Sequence, residues 1–133
     1  MKQASIISYP HPILDPSIWA KAEGDSFILR EDVQRQILNN FDKFFRSIGF
    51  DGKSFVDAFY LVGSSATYQW EADGDIDVTV IYSPDKVREI ENVKWDDDEI
   101  LDLFINATDE GLNEQLLAGT KHPINYYFVV DAY

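Results

Sequence analysis

Residues 75–82 alternate strictly between apolar and mainly polar side chains, which is the pattern of a β-strand with one buried face. The apolar face consists of Ile76, Val78, Val80 and Tyr82. The opposite face consists of Asp75, Asp77, Thr79 and Ile81. Such a strand is stable only inside a sheet whose apolar face is covered, so the chain must supply further strands and a covering layer.

The rest of the chain predicts those partners. Phe55–Val62 is an apolar run rich in strand formers, and Ile124–Val130 is another. Arg30–Ile48 carries one apolar stripe at three- and four-residue spacing, which predicts an amphipathic helix ended by Gly49. Further helical segments are predicted over 64–70, from Ser83 to about Ile90, and over 95–117. This order predicts an α+β (α/β-like) fold, in which a small mixed β-sheet is flanked by helices.

The chain has 133 residues, which suits one domain with its own core. We expect an N-terminal arm over residues 1–28, where prolines punctuate the sequence, and the main domain over residues 29–133. Within the arm, Asp15 and Pro16 predict the start of a short helix, with Asp15 as its N-cap. Trp19 is expected to anchor the arm on the domain.

Composition excludes several classes of function. The net charge of −13 argues against a broad basic face for duplex nucleic acid. The chain has no cysteine, which excludes disulfides and thiolate metal sites and fits a reducing cytoplasm. No apolar run approaches the roughly 20 residues that cross a bilayer, and the N-terminus lacks the pattern of a signal peptide. We therefore expect no membrane partner.

The segment Gly63-Ser64-Ser65 follows a predicted strand and precedes a predicted helical turn. Glycine at that point allows a tight turn, and the free N–H groups of a helix start attract phosphate, to which a serine hydroxyl adds a donor. Taken alone, the segment is better explained as an ordinary strand-to-helix turn with a serine cap. It is neither a P-loop nor the nucleophile elbow of hydrolases.

Asp75 and Asp77 lie two residues apart, so an extended chain places both carboxylates on one face. Two such charges repel unless a cation lies between them. Mg²⁺ prefers oxygen ligands and keeps positions for water and phosphate, so the pair predicts a magnesium site. The alternative is a polar loop end in a chain that is rich in acids throughout.

The other polar clusters have simpler interpretations. Asp96 to Glu99 suit the solvated start of a helix, where negative charge favours the helix dipole. His11 and His122 are the only histidines, and a single loop histidine is more often a surface or hydrogen-bonding residue than a ligand. A zinc site is therefore not expected.

Val62-Gly63-Ser64-Ser65 followed by Asp75-Ile76-Asp77-Val78 resembles the signature of the DNA polymerase β-like nucleotidyltransferase superfamily. In that signature, Gly-Ser lies at a strand-to-helix turn and Asp-x-Asp lies on the next strand. The likeness extends through residues 14–19, the helix over 31–48, and Asn113-Glu114 ahead of the last strand. In these segments the chain resembles a group of small phage-encoded predicted nucleotidyltransferases, which would place it in the cytoplasm of the host.

The resemblance implies a minimal nucleotidyltransferase fold, Mg²⁺ or possibly Mn²⁺, and a nucleoside triphosphate whose nucleotidyl group passes to a hydroxyl acceptor. It implies that Gly63 and Ser64, with Ser65 beside them, hold the phosphates and that Asp75 and Asp77 hold the metals. The family's third catalytic carboxylate lies on a later strand, here Ile124–Asp131. Asp131 is the only carboxylate of this segment and lies at its far end, whereas Asn125 or Tyr126 falls nearer the expected place.

Three functions remain open on the sequence. The first is a metal-dependent nucleotidyltransferase with an unknown acceptor. The second is a non-catalytic binding or structural protein on the same scaffold, motivated by the missing third carboxylate. The third is an acidic DNA mimic that inhibits a nucleic-acid-binding protein, motivated by the charge of −13.

Overall fold

The computed structural model describes residues 13–24, 26–62 and 70–131. Their strands are β1 (Trp19–Lys21), β2 (Phe27–Leu29), β3 (Val56–Val62), β4 (Ile76–Tyr82), β5 (Gln115–Leu116) and β6 (Pro123–Val130). Their helices are α1 (Glu31–Ser47), α2 (Pro84–Glu91) and α3 (Asp97–Gly111). None of the helices in these ranges is both long and apolar enough to cross a membrane.

Four strands form the main sheet in the order β3-β4-β6-β5, and β1 and β2 form a separate hairpin. The main sheet is mixed, because β4 and β6 are parallel whereas β3 and β5 each pair antiparallel with their neighbour. The register places Val62 beside Asp77 and Asp77 beside Asn125. Two residues further along β4, Thr79 lies between Tyr60 of β3 and Tyr127 of β6. The small mixed α+β fold expected from the sequence is confirmed.

The helices α1 and α3 cover one face of this sheet. α1 buries Val33, Ile37, Phe41 and Phe45, a stripe with four-residue spacing that faces the core. Phe104 of α3 stacks on Phe55 with ring centroids 4.8 Å apart and meets Phe45 edge to face at 5.4 Å. The core is therefore a cluster of aromatic rings between the helices and the apolar faces of β3, β4 and β6.

The N-terminal segment differs from the expectation. Asp15 does not begin a helix: its Oδ1 accepts hydrogen bonds from the N–H and the hydroxyl of Ser17, and its carbonyl accepts from Ile18 and Trp19. The chain then leaves this turn as β1 and pairs with β2. Ile18 is fully buried, and the partly buried Trp19 packs against the core.

The helix predicted over 95–117 is too long at both ends. Asp96 is the N-cap, because its side chain accepts from the N–H of Glu99. At the other end, Glu114 adopts a positive φ of 71° and turns the chain back. Residues 115 and 116 then pair with the start of β6 as β5. The short helix predicted over 64–70 lies mostly outside the described residues.

Candidate functional site

Asp75 and Asp77 lie where β4 begins. Asp75 directly precedes the strand, and Asp77 is its second residue. Because the alternate residues Ile76 and Val78 point into the core, Asp77 lies on the opposite face of the sheet, where it is half-buried. The alternation read from the sequence thus places this acid away from the aromatic core.

Both causes that act on Asp77 disfavour its charged form. Burial raises the pKa of the Asp77 carboxyl above its ordinary value, and the negative charge of Asp75 raises it further. The structure therefore brings the two acids close enough to repel each other. A cation between them would remove the repulsion and would compensate the burial of Asp77.

Asn125 lies beside this pair on β6. It is paired in register with Asp77, and its Nδ2 is 3.5 Å from Oδ2 of Asp75. Its Oδ1 accepts a hydrogen bond of 2.9 Å from the N–H of Glu114, so the orientation of the amide is fixed by a group that can only donate. The position nearest both acids on β6 is consequently occupied by a neutral amide.

Asn113 and Glu114 precede β5 and hold the start of β6 in place. The Oδ1 of Asn113 accepts from the N–H of Tyr126 at 2.8 Å, and its Nδ2 donates to Asp109 at 3.0 Å. The N–H of Glu114 donates to the carbonyl of Ile124 as well as to Asn125. These bonds fix where Asn125 lies relative to the acids.

Asp131 lies at the opposite end of the sheet. Its N–H donates to the carbonyl of Tyr82 at 2.7 Å, and it shares a hydrogen bond with Asp57. The pKa of Asp57 is lowered, chiefly by the hydroxyl of Ser83 at 2.6 Å and also by Lys86. About 20 Å of strand separates Asp131 from Asn125, at about 3.3 Å per residue. The structure therefore does not bring Asp131 together with Asp75 and Asp77.

Gly63, Ser64 and Ser65 lie outside the described residues. The strand that leads to them is described, and its last residue, Val62, pairs with Asp77. The chain therefore enters the Gly63-Ser64-Ser65 segment from a position beside the second acid of the pair.

Among the described residues, no group of three or more His, Asp or Glu side chains is arranged to hold a metal ion. Asp75 and Asp77 are two hard oxygen ligands, and Mg²⁺ is commonly held by one or two carboxylates while water and phosphate complete its shell. The donors present thus fit a magnesium ion bound together with a phosphate ligand.

The open face of the sheet continues from the acids into an aromatic row. Tyr60 and Tyr127, on either side of Thr79, are 58% and 51% exposed. Burial raises the pKa of Tyr127, and the charges of Asp77 and Asp75, followed by other nearby acids, raise it further. The negative field of the pair therefore reaches the neighbouring row.

An apolar cavity of about 390 Å³ lies elsewhere, between the β1–β2 hairpin, α1 and β3. Trp19, Leu29, Ile37 and Phe59 contribute to its walls, and Gln34 is one of its few polar residues. A cavity with this lining suits neither phosphate nor a metal ion. Among the described residues, oxygen donors that could hold a cation therefore lie at Asp75 and Asp77 and not in this cavity.

A buried polar pair lies beside the site and is not evident from the sequence. Nε2 of His122 lies 2.8 Å from Oδ2 of Asp15, and its Nδ1 lies 2.7 Å from the carbonyl oxygen of Gly74. Of the two roles considered for His122, surface residue or hydrogen-bonding residue, the second is confirmed. No local motif marks this pair, since its members are distant in the chain.

The chain matches no protein-family model, no curated protein and no solved structure. The resemblance to nucleotidyltransferases accordingly depends on the sequence motif alone.

Proposed function

We propose that this chain is a nucleotidyltransferase-type domain that binds a nucleoside triphosphate together with Mg²⁺. The observation that carries the proposal is the position of Asp75 and Asp77 at the start of β4, with Asp77 in register with the last residue before Gly63. The raised pKa of Asp77 supports it, because an acid pair that repels in the free protein is relieved by a cation.

In this proposal Asp75 and Asp77 hold the cation, and Gly63, Ser64 and Ser65 hold the phosphates. When bound, Mg²⁺ supplies positive charge against the phosphate oxygens of the substrate. The contribution of the chain itself is orientation: the two carboxylates fix one end of the triphosphate relative to the segment Gly63-Ser64-Ser65. Mn²⁺ fits the same oxygen donors.

A specific observation favours a second candidate, a domain that binds the nucleotide without transferring it. β6 presents Asn125 beside Asp77, and an amide cannot take a proton from an attacking hydroxyl as a carboxylate can. Asp131, the carboxylate that follows this strand, lies at the far end. Metal and nucleotide binding would then persist while nucleotidyl transfer is absent.

Ligand-dependent thermal stabilisation tests the binding that both candidates share. Mg²⁺ with a non-hydrolysable nucleoside triphosphate should stabilise the full chain by about 2.7 kcal/mol when the free ligand is 100 times its Kd. Asp75→Ala combined with Asp77→Ala should abolish this gain. Asp131→Ala is the matched control and should retain it. The proposal is wrong if none of the common nucleotides stabilises the chain, or if the double variant responds like the unsubstituted protein.

Pyrophosphate release separates the two candidates. A catalytic domain should release pyrophosphate from at least one nucleoside triphosphate in the presence of Mg²⁺ and a pool of hydroxyl acceptors. If the unsubstituted chain is silent, Asn125→Asp restores a carboxylate beside Asp77 and should produce measurable release. Asn125→Ala serves as its control, because it also removes the Nδ2 contact with Asp75 but adds no base. Release by Asn125→Asp alone would assign the natural chain to the non-catalytic class.

A further inference from the structure

His122 fixes the peptide unit that leads into Asp75. Its Nδ1 is 2.7 Å from the carbonyl oxygen of Gly74, and the side chain is buried, with the residue only 1% exposed. A carbonyl oxygen can only accept, so Nδ1 carries the proton of this hydrogen bond. The Gly74 carbonyl shares one planar peptide unit with the nitrogen and Cα of Asp75. Fixing that oxygen therefore fixes the backbone of the first acid of the pair.

The other ring nitrogen faces a buried carboxylate. Nε2 of His122 lies 2.8 Å from Oδ2 of Asp15, which is 3% exposed. Apart from this charge contact, Oδ2 has no hydrogen-bond partner among the described residues, whereas Oδ1 is bound by Ser17. Since Nδ1 is already the donor to Gly74, a neutral ring would direct the lone pair of Nε2 at an ionised oxygen. The geometry therefore requires a proton between Nε2 and Oδ2.

Asp75 is also held through its side chain. The Glu114 N–H orients the amide of Asn125 so that Nδ2 faces the Asp75 carboxylate. The backbone contact from His122 and the side-chain contact from Asn125 thus act on the same residue from two sides. Both come from the chain at the start of β6, and the first is connected to the N-terminal segment through Asp15.

We propose that Asp15 and His122 share a buried proton and together position Asp75 for metal binding. His122 is the positioning residue, because it contacts the Gly74–Asp75 peptide, and Asp15 keeps its ring in the required orientation. The metal-binding part of this inference rests on the proposed function, whereas the proton and the backbone contact do not. In this view Asp15 becomes part of the site through its contact with His122 and not as a metal ligand.

The shared proton is tested in the unsubstituted chain by nuclear magnetic resonance. Nitrogen shifts of the His122 ring and the carbon shift of the Asp15 carboxyl report where protons reside. We expect Nδ1 to be protonated and a second proton on either Nε2 or Asp15. An unprotonated Nε2 beside an ionised Asp15 would overturn the proposal. This measurement requires no variant to fold and no metal to bind.

Two substitutions test the two contacts of the His122 ring separately. The side-chain amides of Asn and Gln each place an N–H group where a different ring nitrogen lies. His122→Asn retains a donor where Nδ1 lies and so keeps the bond to Gly74. His122→Gln places its donor where Nε2 lies and so keeps only the contact with Asp15. Loss of a contact that holds a metal ligand typically lowers metal affinity by about 10–100-fold. We therefore expect His122→Gln to weaken Mn²⁺ binding by a factor in that range and His122→Asn to weaken it less.

A control excludes a general loss of stability as the cause. Val87→Ala removes buried volume in α2, which begins beyond the far end of β4, and should lower stability without changing Mn²⁺ affinity.

Equal Mn²⁺ affinities for both His122 variants and the unsubstituted chain would overturn the positioning role. If Mn²⁺ binds the unsubstituted chain neither alone nor together with a non-hydrolysable nucleoside triphosphate, the proposed function fails. The Asp75 amide shift then decides the positioning role: a change in His122→Gln but not in His122→Asn supports it, and no difference overturns it.

Discussion

Asp15 and His122 form a polar contact inside the protein: Nε2 and Oδ2 are 2.8 Å apart, and neither side chain is more than 4% exposed. A charged group in such surroundings is stable only when it is paired and hydrogen-bonded, since its hydration is lost. Ser17 binds one oxygen of Asp15 and His122 faces the other, so the carboxylate depends on both. The contact joins the N-terminal segment to the loop before β6.

Removing one member of this pair should cost more than altering both. His122→Leu leaves the Asp15 carboxylate buried without its partner, and such losses are about 3–5 kcal/mol. Adding Asp15→Asn removes the stranded charge while keeping an acceptor for Ser17, so it should recover part of the lost stability. Urea unfolding monitored by tryptophan fluorescence measures both variants. A double variant that is less stable than His122→Leu alone would contradict this account.

Asp77 should reduce the stability of the metal-free protein. Burial and the charge of Asp75 raise its pKa in the folded protein. The Asp77 carboxyl therefore ionises more readily in the unfolded chain, so its ionised form destabilises the fold at neutral pH. We expect Asp77→Asn to raise Tm in buffer that contains a chelator and to lose the Mg²⁺-nucleotide response. Asp102→Asn, which changes an exposed acid of α3 outside the pair, is the control. A lower Tm for Asp77→Asn without metal would show that the carboxylate has a structural partner.

The sequence predicts best where a local period decides the structure. The two-residue alternation over 75–82 identified β4 within one residue, and the apolar stripe of α1 identified that helix within one residue at each end. The overlong helix over 95–117 shows the limit of the same reasoning. Its apolar spacing continues through Leu112 and Leu116, and only pairing with β6 reveals that residues 115 and 116 form a strand.

Contacts between distant segments could not be predicted in this way. The β1–β2 hairpin has three residues in each strand, too few for a recognisable alternation. The residue of the last strand that lies beside Asp77 depends on the register of two parallel strands. The sequence does not determine this register, so both Asn125 and Tyr126 are possible neighbours on the sequence alone. The contact between Asp15 and His122 has the same origin, because it joins segments from opposite ends of the chain.

Acid should destabilise the protein partly through Asp42. Its pKa is lowered from 3.8, chiefly by the hydrogen bond from Arg46, and the N–H of Lys53 donates to its other oxygen at 2.9 Å. A carboxyl whose pKa is lowered in the folded protein stabilises the fold at pH values above its ordinary pKa. This contribution is lost as the pH falls through the lowered pKa. Asp42→Asn should therefore cost up to about 1 kcal/mol at neutral pH and almost nothing in strong acid.

The measurement is Tm as a function of pH for the unsubstituted chain and for Asp42→Asn. The two curves should be separated at neutral pH and converge in strong acid, as the pH falls through the lowered pKa of Asp42. Asp102→Asn changes an exposed acid in the middle of α3 and serves as the control for net charge. A separation between the curves that persists at the acid end would mean that Asp42 acts through something other than its charge.

The start of α3 should depend on the reciprocal contact between Asp96 and Glu99. The Asp96 side chain accepts from the N–H of Glu99 at 2.8 Å, and the Glu99 side chain accepts from the N–H of Asp96 at 3.1 Å. Asp96→Ala removes the N-cap, which typically costs about 1 kcal/mol, or about 4 °C in Tm for a chain of this size. Asp102→Ala removes the same charge from the same helix without touching the cap, so thermal unfolding of the two variants isolates the capping contribution. Equal losses in both would assign the effect to charge and not to the cap.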